Sequence, residues 1–442
     1  MGTTAGATTE RALSALSAAL AAALAAPGAA AQANYQSYPV GGTASGMGGA
    51  YTALADDSSG AYYNPAGPAF AVGDSLSLST NLYGMVGGSS LGAFGRGVDF
   101  DYRSVNIVPS AASSLSHLGA STRERPSRWV FTFNVFAPQT LQVTQRSILN
   151  RGETTLFTSY DEKALLVGPT LSVRLSDRLA VGLSLYGSYH SLATRTDLTD
   201  VFGAVMSTAS DFIQLTLNND ASNLGLVAAA GARWEPTPGL LLGLSVRSPT
   251  IHVYGSGSAF QRVAVAATSA GRAPAVMTTV DEVDTAHVLP ARVALGVAWR
   301  RRGRYAVALD LTAYLPVSYQ AVRSARTPSL DVTVDRRAVV NGALGFEYFL
   351  TPAMPLHAGV FTDLSAAPSP TAAGGEDRVD LVGASLGLGR FSEHTATQVA
   401  VVGSLGGAEV VGVDLSSGTY ESFVARGTQW RLYAVLSGSY NF

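Results

Sequence analysis

From Leu289 to Trp299 the chain alternates: Leu289, Ala291, Val293, Leu295, Val297 and Trp299 fall on one face, Pro290, Arg292, Ala294, Gly296 and Ala298 on the other. An Arg/Gly turn follows and the alternation restarts, with Tyr305, Val307, Leu309, Leu311, Ala313 and Leu315 set against Asp310, Thr312 and Tyr314. A period of two over successive segments predicts half-buried strands joined as a hairpin. The form recurs on both sides of Ser176-Asp177 and across Pro236-Thr237-Pro238-Gly239. Roughly fourteen such segments, each about 10–14 residues long, follow one another between Asp74 and Phe442. Strands of soluble sheets are shorter, whereas a tilted strand crossing a bilayer needs about this length. The apolar face often ends in an aromatic residue, as at Trp129, Trp234 and Trp299, in the manner of an interfacial girdle. Short turns alternate with longer connections, expected at Leu198–Ser222 and Ser256–His287. Within Asp200–Asn218, residues Val201, Phe202, Val205, Met206, Phe212, Ile213 and Leu215 form an apolar stripe at mixed helical spacing. It reads either as a loop patch that collects greasy molecules or as a loop helix packed on the mouth.

Composition sharpens this picture. Hydrophobic residues make up 47% of the chain and charged ones only 14%, against about 25% charged in soluble domains. A soluble sandwich would turn its charged face outward, and these outward faces are too poor in charge for that. Beyond the first 33 residues no window of 18 apolar residues occurs, which excludes a bundle of spanning helices. The pattern therefore predicts an all-β transmembrane antiparallel barrel. The absence of cysteine excludes disulfides, thiolate ligation and a thiol nucleophile. A net charge of −2 gives no broad footprint for nucleic acid.

Both ends carry addresses. Arg11 precedes an Ala/Leu run from Ala12 to Ala26, Pro27-Gly28 breaks it, and Ala31-Gln32-Ala33 supplies a small-residue cleavage pattern. Residues 1–33 are thus expected to be a signal peptide. In the last strand Trp430, Leu432, Ala434, Leu436, Gly438, Tyr440 and the terminal Phe442 share one face. That ending resembles the signal read by the barrel assembly machinery of outer membranes, an expected partner together with outer-membrane lipids.

Residues 34–73 do not alternate. They hold Gly41-Gly42, Gly46, Gly48-Gly49-Ala50-Tyr51, Ala55-Asp56-Asp57 and Asn64-Pro65-Ala66. In that order these pieces resemble the amino-terminal hatch of FadL-type outer-membrane transporters for long-chain fatty acids and other hydrophobic compounds. Leu242–Pro249 and Leu289–Ala298 resemble strands of the same family. The resemblance implies a barrel of about fourteen strands (residues 74–442), plugged by a hatch (34–73), with ligand leaving sideways through the wall. It also implies passive transport in a Gram-negative outer membrane, with no cofactor and no metal. The same opening occurs in relatives that serve as secretion or assembly scaffolds, which keeps a structural or partner-binding barrel as the alternative.

Physical chemistry supplies roles for these residues. The glycines allow positive φ and close approach to a wall, Pro65 holds Asn64 extended, and Asp56 and Asp57 are candidates to pin the plug to inward arginines. Gly46, Gly48, Gly49, Asp56, Asp57, Asn64, Pro65 and Ala66 are accordingly the candidate hatch and gating residues. By alternation Arg233, Arg247, Arg292, Asp310, Glu347, His357, Asp363 and Arg431 face the lumen. A fatty acid needs an apolar pocket and a cation for its carboxylate, which arginine binds with two bonds. Arg247 and Arg292 are the candidate ligand-binding residues. At Ala137-Pro138 a kinked strand is one reading, since proline interrupts a ladder and would leave a gap in the wall; a harmless strand end is the preferred one. Gly383-Ala384-Ser385-Leu386-Gly387 has the spacing of a nucleophile elbow, but it lies in an alternating segment with no helix after it, so no catalytic residue is expected.

Overall fold

The computed structural model describes residues 33–36, 39–91, 99–119, 127–149, 154–202, 211–266, 275–327, 331–372, 375–413 and 422–442. Apart from Ala33, the expected signal peptide lies outside the described residues. The described residues form eighteen strand segments in chain order: β1 Ser75–Leu91, β2 Asp99–Leu118, β3 Trp129–Leu149, β4 Thr154–Ser176, β5 Leu179–Phe202 and β6 Asp211–Thr237. Then come β7 Leu240–Arg247, β8 Ile251–Ala266, β9 Ala275–Thr285, β10 Arg292–Arg301, β11 Tyr305–Tyr314 and β12 Val317–Ser324. The last six are β13 Val332–Arg336, β14 Val339–Thr351, β15 Met354–Asp363, β16 Arg378–Phe391, β17 Thr395–Val413 and β18 Ser422–Asn441.

Neighbours pair antiparallel all the way round, and β18 closes on β1 from Ser75–Asn441 to Leu91–Arg426. Four wall strands are built from two segments each, namely β7/β8, β9/β10, β11/β12 and β13/β14, so the closed barrel has fourteen strands. Three of the breaks contain a proline, Pro249, Pro290 or Pro316, which has no N–H to give the ladder. Single bonds carry the wall across them, Thr250 N to Leu289 O at 3.0 Å and Leu315 N to Ala291 O at 2.9 Å. Closure of β18 on β1 leaves neither terminal strand as a free edge toward lipid, as a sheet that crosses a bilayer requires.

Alternation does what the sequence predicts. On β5, Val181, Leu183, Leu185 and Tyr189 are exposed outward, while Gly182, Ser184, Tyr186, Ser188 and His190 are buried inward. Trp234 pairs with Leu179 at one end of this stretch, and Tyr189 pairs with Leu224 at the other. Ten residue steps at about 3.3 Å, tilted by about 40°, span roughly 25 Å. That is the height of an outer-membrane apolar band.

Two expectations give way here. The predicted connections Leu198–Ser222 and Ser256–His287 are largely strand, because β5, β6, β8 and β9 continue beyond the band. Segment length therefore runs from 5 to 27 residues. The stripe in Asp200–Asn218 is not a helix either. Val201 and Phe202 end β5, and Phe212, Ile213 and Leu215 begin β6, so residues of two strands had been added into one spacing. Val205 and Met206 lie outside the described residues. Pro138 follows the kinked-strand reading and not the strand end: it sits inside β3, where the register with β4 skips between Phe136 and Gln139.

Candidate functional site: a plugged lumen

The segment before β1 lies inside the barrel. Its described residues contain one short helix, α1 (Gly42–Gly46), and two 3-10 turns at Ser59–Tyr62 and Gly67–Phe70. Gly48 and Gly49 take φ of 65° and 87°, which only glycine adopts freely, and so turn the chain from α1 toward Tyr51. Its side chains Val40, Met47, Tyr51, Tyr62 and Tyr63 share one buried cluster with Phe136, Leu166, Tyr186 and Leu241 of the wall.

Polar bonds fix the plug around its circumference. The Asp310 carboxylate on β11 accepts from Tyr51 N at 2.9 Å and Thr52 N at 2.7 Å. Asn64, fully buried, donates through Nδ2 to Thr52 O at 2.9 Å and to Ala232 O of β6 at 3.0 Å. Its Oδ1 accepts from Ala66 N at 3.0 Å, closing the Asn-Pro-Ala turn. Pro65 O accepts from Ser172 Oγ of β4 at 2.6 Å, and Gly46 O from Ser385 Oγ of β16 at 2.8 Å. Ser385 is thus a strut for the plug, which accounts for its inward place on a strand.

The two hatch aspartates divide their work. Asp56 makes a short ion pair with Arg300 and lies 3.9 Å from Arg233. Burial pushes the Asp56 carboxyl up, but Arg300 and Arg233 outweigh it and hold it below its ordinary value. Asp57 bonds within the hatch instead, to Ser59 Oγ at 2.8 Å, Gly60 N at 2.7 Å and Tyr51 OH at 3.2 Å. Burial, with Asp56 next to it, raises the Asp57 carboxyl despite those bonds.

The wall is cut back to glycine where the plug presses on it. A Cβ at Gly231 would stand 2.1 Å from Asn64 Oδ1, one at Gly243 2.4 Å from Thr52 O, and one at Gly182 2.0 Å from Pro65 O. Asp310, Arg300 and these inward glycines were not among the expected hatch residues. Inward parity combined with Gly or a lone charge was the signal that pointed to them.

Each residue expected to face the lumen does so. Arg233, Arg247, Arg292, Asp310, His357, Asp363 and Arg431 are buried there, and the Glu347 carboxylate lies 3.0 Å from His357 Nε2. Arg431 reaches Asp363 at 3.3 Å. Arg247 and Arg292 stand directly opposite each other in the β7–β10 ladder, so their Cβ atoms are about 5 Å apart. Arg292 lies over the Tyr62 ring at 5.6 Å and bonds its carbonyl at 3.4 Å. The Nε of each arginine is buried without a partner. Two like charges side by side away from water are costly unless an anion joins them. Beside Arg292 is a cavity of about 60 Å³, bounded by Tyr63, Asp310, Tyr314, Asn341 and Phe361 among others.

A second apolar cluster lines the lumen above the plug: Val86, Leu141, Val143, Tyr160, Val402, Tyr433 and Val435. It borders a discontinuity in the wall. The β2–β3 ladder runs from Leu118–Trp129 to Ala111–Phe136. Among the described residues it goes no further, while β2 stays on β1 and β3 stays on β4. Ala137-Pro138 is the point of parting, and Gln139 beyond it donates to Asn34 O at 2.7 Å.

A membrane-height apolar band on a closed fourteen-stranded barrel, with its lumen filled by its own amino-terminal segment, defines a plugged outer-membrane barrel. The family model described as outer membrane protein transport protein (OMPP1/FadL/TodX) matches residues 19–374, and the chain belongs to that family. It is an outer-membrane channel protein for hydrophobic small molecules. Among solved structures, a Pseudomonas aeruginosa FadL homologue is 15% identical with a TM-score of 0.66, over 92% of this chain and 100% of that one. The toluene transporter TodX of P. putida is 17% identical with a TM-score of 0.65, over 91% and 99%. The toluene transporter TbuX of Ralstonia pickettii is 14% identical with a TM-score of 0.61, over 91% and 98%. At such identities these likenesses speak for the fold alone. A comparison with curated protein sequences gave no match.

Proposed function

We propose that this barrel (74–442), exported behind a cleaved signal peptide (1–33), passes long-chain fatty acids by diffusion, with the hatch (34–73) as its gate. The observation that carries the ligand class is the buried Arg247–Arg292 pair with both Nε atoms unpartnered. A carboxylate accepts from two guanidinium donors at once and removes the repulsion between them. Gly46, Gly48, Gly49, Asp56, Asp57, Asn64, Pro65 and Ala66 then form the hinge and latch of the gate. The apolar cluster above the plug suits an acyl chain, and the parted β2–β3 wall is the exit toward lipid that the family resemblance implies. Relatives named as toluene transporters suggest neutral aromatics as the competing class. The C-terminal strand ending in Phe442 is read by the assembly machinery.

Oleate and toluene binding to the purified, refolded barrel decides between the two. The expected result is saturable oleate binding that weakens at least tenfold in Arg247→Ala and Arg292→Ala, with toluene indifferent to both. Oleate binding that ignores the two substitutions would remove Arg247 and Arg292 as the ligand-binding residues. A folded barrel that binds neither compound would favour the scaffold alternative.

A further inference from the structure

We propose that the β10–β11 turn is a binding site for the headgroup of an anionic phospholipid in the periplasmic leaflet. The run Trp299-Arg300-Arg301-Arg302-Gly303-Arg304-Tyr305 contains four arginines and no acidic residue. Strand parity divides them. Arg300 turns into the lumen and pairs with Asp56 of the hatch. Arg301, Arg302 and Arg304 are exposed on the turn itself, which Arg304 N closes on Arg301 O at 2.9 Å with Gly303 at φ 68°. The turn is one of the short connections at the end of the barrel opposite the tall β5–β6 wall, and short turns mark the periplasmic end of such barrels.

Depth is set by the aromatic residues beside it. Trp299 and Trp234 are each 49% exposed and Tyr348 is 47% exposed, on β10, β6 and β14, at the lower edge of the apolar band. Aromatic side chains hold that edge at headgroup level. The three exposed arginines therefore lie at the height of lipid phosphates, not in bulk solvent. Guanidinium groups match phosphate oxygens with paired donors. Of the acids near the turn, Glu235 is engaged in capping Gly239 N at 2.8 Å, and Asp56 makes its ion pair with Arg300, with Arg302 as a further cation near it. The occupant is a lipid rather than a soluble anion because apolar wall and cationic turn are contiguous, so one molecule engages both. Arg300 ties that turn to the hatch, so a bound lipid steadies the strand end on which the plug is anchored.

The test is native mass spectrometry of the full barrel released from equal mixtures of phosphatidylglycerol and phosphatidylethanolamine. Wild type is expected to retain phosphatidylglycerol preferentially, with the preference falling as ionic strength rises. Arg301→Gln/Arg302→Gln/Arg304→Gln, checked for folding by heat-modifiable gel mobility, is expected to lose about a hundredfold in that preference, from three cations near the surface. Equal retention of both lipids by wild type would overturn the proposal, and that arm needs no variant to fold. So would a folded triple variant that keeps the wild-type preference.

Discussion

Asn64→Ala is the most informative single change to the plug. The side chain is fully buried and makes three bonds: two donated, to Thr52 O and Ala232 O, and one accepted from Ala66 N. One of them joins hatch to wall, and the other two shape the turn that presents it. A neutral hydrogen bond contributes about 1 kcal/mol net, and a buried group left without a partner costs about 1–3 kcal/mol. The terms share atoms and do not add fully, so a loss of about 3 kcal/mol in hatch docking is expected. At about 1.4 kcal/mol per decade this is on the order of a hundredfold more frequent undocking. Hydrogen exchange of the purified barrel reads it directly. Amides of residues 51–66 should lose about two decades of protection, while ladder amides of β5 and β16 keep theirs. Asn64→Asp should act at least as strongly, since it turns the donor into an acceptor facing two carbonyl oxygens. Unchanged hatch protection in Asn64→Ala, or a loss spread evenly over the barrel, would refute the reasoning.

Asp310→Asn keeps the shape but removes the charge that Tyr51 N and Thr52 N donate to, and bonds to a charged group contribute about 1.5–3 kcal/mol each. It should loosen residues 50–54 in the same exchange experiment, with barrel heat-modifiability unchanged. Gly243→Val places side-chain atoms where Thr52 O now sits, 2.4 Å from the position of a Cβ; raised conductance in planar bilayers is expected, from a hatch pushed off its seat. For pH, the two aspartates have opposite signs. Asp57 is raised, so its protonation favours the docked hatch and docking should tighten as pH falls through its raised value toward the ordinary carboxylate range. Asp56 is depressed, so its contribution is present above the ordinary carboxylate range and is lost as pH falls through its lowered value. A spin label on the hatch should therefore become less mobile and then more mobile on acidification, with Asp57→Asn abolishing the first phase and Asp56→Asn the second.

The wall of this protein was written in local sequence. Strand parity is a property of the backbone, so Val181, Leu183 and Leu185 face outward, and Arg247 and Arg292 inward, whatever surrounds them. Turns such as Ser176-Asp177 and Pro238-Gly239 likewise mark themselves, as does the Asn-Pro-Ala turn, whose Asn64–Ala66 bond lies within two residues. Tertiary structure decided what parity leaves open. Alternation alone does not tell a strand that stops at the membrane surface from one that continues beyond it, so β5 and β6 were read too short and their apolar residues merged into one helical stripe. The partner of Asp56 is Arg300 and that of Tyr51 N is Asp310, more than two hundred residues away in the chain. The meeting of Arg247 with Arg292 depends on the register of β7 with β10, and the parting of β2 from β3 at Pro138 depends on where β2 runs. Such contacts arise only when the sheet closes, because closure sets which inward positions share a level and leaves the hatch one set of walls to fit.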